Sequence, residues 1–76
     1  MTAREGCGAN LEIVLEGANS DVFSKQKAAL TALDKLCEER CLSALIFIMK
    51  EFYGSDNHLK QHLAKKAMQY LKREQP

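Results

Sequence analysis

Residues 41–53 read CLSALIFIMKEFY, and the way this stretch joins the chain before it decides the fold. Ala44 to Met49 are apolar without interruption, Leu42 precedes them, and Phe52 and Tyr53 follow. Wound as a helix, this segment carries apolar side chains nearly all the way round. A helix with no polar face must be covered on most sides by other elements. It is too short, and too closely bracketed by Arg40, Lys50 and Glu51, to cross a bilayer. The expectation is a central helix buried in a small domain, with no membrane involved.

Upstream, the apolar series Leu33, Cys37, Cys41, Leu45, Ile48, Phe52 passes residue 40 without a change of helical phase. Two architectures are therefore open. One is a three-helix bundle with a single long helix over residues 21–53. The other breaks the chain near Arg40 and gives four helices. The chain has 76 residues, 46% of them apolar and 28% charged, with a formal net charge of +1. That is the balance of one small folded domain rather than a disordered segment. Its only proline is Pro76 and it has four glycines, which favours an all-α chain.

The element boundaries follow from local signals. Residues 1–9 read as a flexible lead-in, and residues 10–75 as a single helical domain. Asn10 is a candidate N-cap for a helix over 11–18. Asn19-Ser20-Asp21 opens a second helix that carries Phe23, Leu30, Leu33 and Cys37. Gly54-Ser55-Asp56-Asn57 separates the central helix from a last one over about 57–74. In that last helix Leu63, Ala67 and Leu71 are expected to face inward.

An internal repeat chooses between the architectures. Sliding the chain on itself by 35 residues lays Ile13 on Ile48, Glu16 on Glu51, Ser20 on Ser55, Asp21 on Asp56 and Lys25 on Lys60. The same offset lays Gln26 on Gln61, Ala29 on Ala64, Ala32 on Ala67, Leu36 on Leu71 and Glu39 on Glu74. Average residue usage gives roughly two identities over such a window, against these ten. Each copy, about 11–39 and about 41–74, is then a helix, a turn at Ser-Asp and a second helix. The fold expected is all-α, four helices as two stacked pairs.

The segments SDVFSKQKAALTALDKL (20–36) and SDNHLKQHLAKKAMQYL (55–71) resemble the long second helix of armadillo/HEAT repeats after its turn. The likeness covers residues 11–74. Two copies are fewer than the three or so such a stack normally needs. The resemblance implies a short α-solenoid fragment, and a non-enzymatic scaffold or adaptor that recognises a protein or peptide. In stacks of that type the last helix of each repeat lines the binding face. By that analogy His62, Lys65, Lys66 and Gln69 are candidate contact residues.

Phe47 and Met49 join that set for a different reason. Ile46, Phe47, Ile48 and Met49 cannot all face one neighbour, so part of the central helix needs a partner or a second copy of the chain to cover it. Tyr53, Phe47 and Phe52 are otherwise expected in the core, with Met49 and Met68 as packing filler.

Chemistry-bearing patterns are sparse. Cys37-x3-Cys41 and His58-x3-His62 supply a zinc-type donor set. Sixteen residues separate the two halves, however, and they include the most apolar helix in the chain. Buried cysteines and surface histidines are the expectation, with no metal, cofactor or small-molecule substrate. No Asp–His pair is placed to activate a cysteine, so no enzymatic activity is expected. The last helix is basic, with Lys60, Lys65, Lys66, Lys72 and Arg73, and nucleic-acid binding through it is the alternative function. Three cysteines without framework spacing, and no signal-type apolar run in MTAREGCGAN, point to free thiols and an intracellular site, cytoplasm or nucleus.

Overall fold

The helix is interrupted at residues 39–41. The computed structural model, which describes residues 5–74, has helices α1 (Glu5–Ala18), α2 (Phe23–Glu38), α3 (Leu42–Phe52) and α4 (His58–Glu74). α2 ends because Arg40 adopts a left-handed φ of 55°. The Arg40 N–H then donates to the Cys37 carbonyl, and the Cys41 N–H to the Leu36 carbonyl. Together these form a Schellman closure, with Leu36 and Cys41 buried across it. A single helix over residues 21–53 is thereby excluded. α1 packs on α2 and α3 on α4, and the second pair stacks on the first chiefly through α2. The architecture is two stacked helix pairs.

Three hydrogen bonds of the first turn recur in the second. Ser20 N–H donates to the Gly17 carbonyl, and Ser55 N–H to the Phe52 carbonyl. Ser20 Oγ accepts from the Val22 N–H, as Ser55 Oγ does from the Asn57 N–H. The Gln26 side-chain amide then reaches back to the Ser20 carbonyl, and that of Gln61 to the Ser55 carbonyl. The conserved spacing within the chain, Ser followed six residues later by Gln, is a clamp that ties each turn to the first turns of the helix after it. α2 and α4 accordingly start at Phe23 and His58, 35 residues apart.

The copies differ at one decisive position. Gly17 in α1 faces Lys25 and Ala29 of α2 so closely that a Cβ there would lie 2.4 Å from the Lys25 carbonyl oxygen and 2.6 Å from the Ala29 Cβ. The residue equivalent to Gly17 is Phe52, whose ring is buried beneath α4. The aromatic ring opens a depression between α3 and α4, lined also by Ala64, that has no room to form at Gly17. Lysine placement shifts with it. Lys25 Nζ lies 3.7 Å from Glu16 Oε2, whereas Lys60 Nζ sits 5.7 Å above the Phe52 ring.

The core is a single cluster contributed by both pairs, with Val14, Leu33, Leu36, Leu45, Ile48 and Leu63 fully buried at its centre. Three features depart from the sequence reading. α1 begins at Glu5, not at residue 11, so residues 5–9 form its first turns rather than a flexible lead-in; residues 1–4 lie outside the described residues. Tyr53 is 71% exposed and Phe47 43% exposed, so of the three aromatic residues assigned to the core only Phe52 is there. α3 is covered on one side only, the side that carries Ala44, Leu45, Ile48 and Phe52, because one neighbouring pair cannot wrap a helix that is apolar all round.

A further departure is covalent. Cys7 and Cys41 are joined by a disulfide with their Cα atoms 5.8 Å apart, leaving Cys37 as the free thiol. The early start of α1 brings Cys7 to the N-cap of α3. A chain of two helix pairs has little core to spare, and the bond ties its first helix to its third. Among the described residues no helix is long and apolar enough to cross a membrane.

Candidate functional site: an open face on the second helix pair

α3 and α4 meet along a furrow that no other element covers. Its floor is Ile46, Met49 and Tyr53 from α3 and its C-cap, with Met68 and Leu71 from α4. Three depressions of about 270, 460 and 330 Å³ run into one another here, all three lined by Met68. Helical spacing creates the floor: Ile46, Met49 and Tyr53 fall three and four residues apart, as do Leu71 and Met68, so each set projects from one face. Methionine side chains suit such a surface, because they can repack around different apolar shapes. The charged residues that line the furrow are Lys50, Lys65 and Lys72, with no acidic residue among them.

The residues singled out from sequence separate onto different faces. Met49 and Lys65 belong to the furrow. Lys66 turns the other way, its Nζ 3.4 Å from Asp34 Oδ1 of α2, and it lines a small recess with Gln69 and Cys37. Phe47 lies on the opposite side of α3, beside Leu15 of α1 and Asn19 of the turn after it. His62 is exposed on α4. Sequence reasoning assigned Tyr53, Met68 and Leu71 to the core and did not single out Ile46, so of the furrow floor it found only Met49. The signal that finds Tyr53 and Met68 is the repeat itself, because their counterparts Ala18 and Leu33 are buried beneath the second pair.

The possible chemical centres do not assemble. Among the described residues, the grouping of three metal-type donors is Cys7, Glu39 and Cys41, whose donor atoms lie within 4.8 Å of one another. Neither histidine belongs to it, so the Cys37, Cys41, His58, His62 set is not brought together. With Cys7 and Cys41 bonded to each other, their sulfurs are not free thiolates for a metal. Burial, and secondarily the Asp34 carboxylate, push the Cys37 thiol above its ordinary range, and Lys66 offsets this only in part. A thiol held in its protonated form is a poor nucleophile. The basic helix α4 likewise lacks a continuous stripe, since Lys60 lies on the Phe52 ring and Lys66 is engaged with Asp34. No family model, curated protein or solved structure matches the chain.

Proposed function

We propose that this chain is a non-enzymatic interaction module, a short armadillo/HEAT-like stack that binds a protein or peptide on the open face of its second helix pair. The observation that carries the reading is the lysine-edged apolar furrow over Met49, Tyr53 and Met68. An apolar surface rimmed by polar groups loses contact with water only when something docks on it. The raised thiol of Cys37, a poor nucleophile, favours a binding role over a catalytic one. The interrupted basic surface of α4 favours a polypeptide over a nucleic acid. In cytoplasm or nucleus, the sites of action first expected, thiol-reducing systems would hold Cys7 and Cys41 reduced; in an oxidising compartment the bond persists.

The test is comparative capture. Immobilised wild-type chain and a Tyr53→Glu, Met68→Glu variant, checked for folding by circular dichroism, are exposed to the same nuclease-treated extract. The reading expects defined polypeptides retained by the wild type and lost by the variant. Equal retention by both, or retention that disappears on nuclease treatment, contradicts it.

A further inference from the structure

We infer that the occupant of the furrow is an amphipathic helix with acidic flanks, supplied by another polypeptide, which sits on α3 and α4 as α3 and α4 sit on α1 and α2. This deepens the interaction reading and rests on it. The argument comes from the repeat. Shifted by 35 residues, the floor residues Ile46, Met49, Tyr53, Met68 and Leu71 fall on Leu11, Val14, Ala18, Leu33 and Leu36. The last four of those counterparts are buried, and Leu11 packs against the same core. In the first copy, then, this face is covered by the second pair. In the second copy the same face is open, and its floor has stayed apolar.

The rim has changed. Lys50, Lys65 and Lys72 stand where the first copy has Leu15, Leu30 and Cys37, all three half-buried against the core. A face adapted only for solubility would carry polar residues on the floor as well. Here the centre stays apolar and the edges become cationic, which is the complement of a helix with an apolar stripe and carboxylates beside it. α3 has 11 residues, so the occupant engages about three turns.

A second copy of this chain fits badly in either arrangement. Furrow against furrow, the three lysines of one copy meet the three of the other. Head to tail, the face offered by the first pair would be the counterpart of Ala44, Leu45, Ile48 and Leu63, which is Ala9, Asn10, Ile13 and Ala28. Small and polar side chains dominate that set, and only Ile13 is large.

The experiment uses two helical peptide probes with an identical leucine stripe at i, i+3, i+4 and i+7. Glutamates flank the stripe in one and lysines in the other. Affinity of each for the full chain is measured by fluorescence anisotropy at two salt concentrations. The expected result is at least tenfold tighter binding of the glutamate-flanked probe, a gap that narrows with added salt. Lys65→Glu with Lys72→Glu, both on exposed positions that leave the core intact, is expected to reverse the preference. Equal binding of the two probes, or no binding of either, overturns the inference. If neither probe binds while the furrow variant still loses its captured polypeptides, the interaction reading survives and only the identity of the occupant fails. A self-associated chain that excludes both probes overturns it in favour of a second copy.

Discussion

At the scale of single residues, Gly17 and its counterpart Phe52 set the difference between the two halves of the molecule. A glycine inside a helix normally costs about 0.5–1 kcal/mol relative to alanine. At Gly17 that cost is offset by the closeness of α2, whose Lys25 carbonyl oxygen and Ala29 Cβ occupy the space of a side chain. Gly17→Ala is therefore expected to destabilise the fold by about 1–3 kcal/mol, the usual range for overpacking. Gly8→Ala, in the same helix with nothing within 4 Å, is expected to stabilise it slightly. Denaturant midpoints of the two variants check the pair. A gain in stability at Gly17 would mean that α1 and α2 are not in close contact there. Arg40 shows the opposite kind of residue. It occupies a left-handed position that glycine usually takes, so the break it makes leaves no composition signal.

At the scale of elements, the turn clamps were legible in the sequence but their role was not. Ser20/Ser55 and Gln26/Gln61 stood out as identities, and only the coordinates show each glutamine bonding to the serine carbonyl six residues earlier. The four helices and the turn after α2 were likewise legible, because a repeat carries phase information that a single helical period lacks. What was not legible has a physical cause in each case. The odd cysteine count hid the Cys7–Cys41 bond, since pairing depends on a helix α1 that starts well before its first apolar residue. Phe47 and Tyr53 were expected in the core, yet a two-pair stack, 15 Å through its thinnest direction, has too little interior to take them.

The disulfide also makes an element-level prediction. It closes a loop across 34 residues of sequence separation, for which chain entropy gives a stabilisation of about 4 kcal/mol. Reductant is expected to lower the denaturant midpoint of the wild type substantially and to leave Cys7→Ser unchanged at the reduced value. A wild-type midpoint indifferent to reductant would contradict a structural role for the bond.

At the scale of the whole molecule, the two halves are copies in backbone and partners in packing, and the second ends in a face that the first has already shown how to cover. Only a small part of the candidate site was visible in advance. Met49 and Lys65 were identified, whereas Lys66, Gln69, Phe47 and His62 fall outside the furrow. Helical phase alone could not say which side of α4 turns toward α3. The division of labour that results is physical. Leu33, Leu36, Ile48 and Leu63 hold the stack together, while Tyr53 and Met68 remain available to a partner.

The central claim is that this open face, and no other, receives a helix. Methyl chemical shifts of the intact chain, recorded while the glutamate-flanked peptide is added, test it most directly. The account predicts saturable shifts at Ile46, Met49, Met68 and Leu71, with Ile13 on the far side of the first pair unchanged. Shifts centred on Ile13, or on Leu15 beside Phe47, with the methionine methyls still, would contradict it.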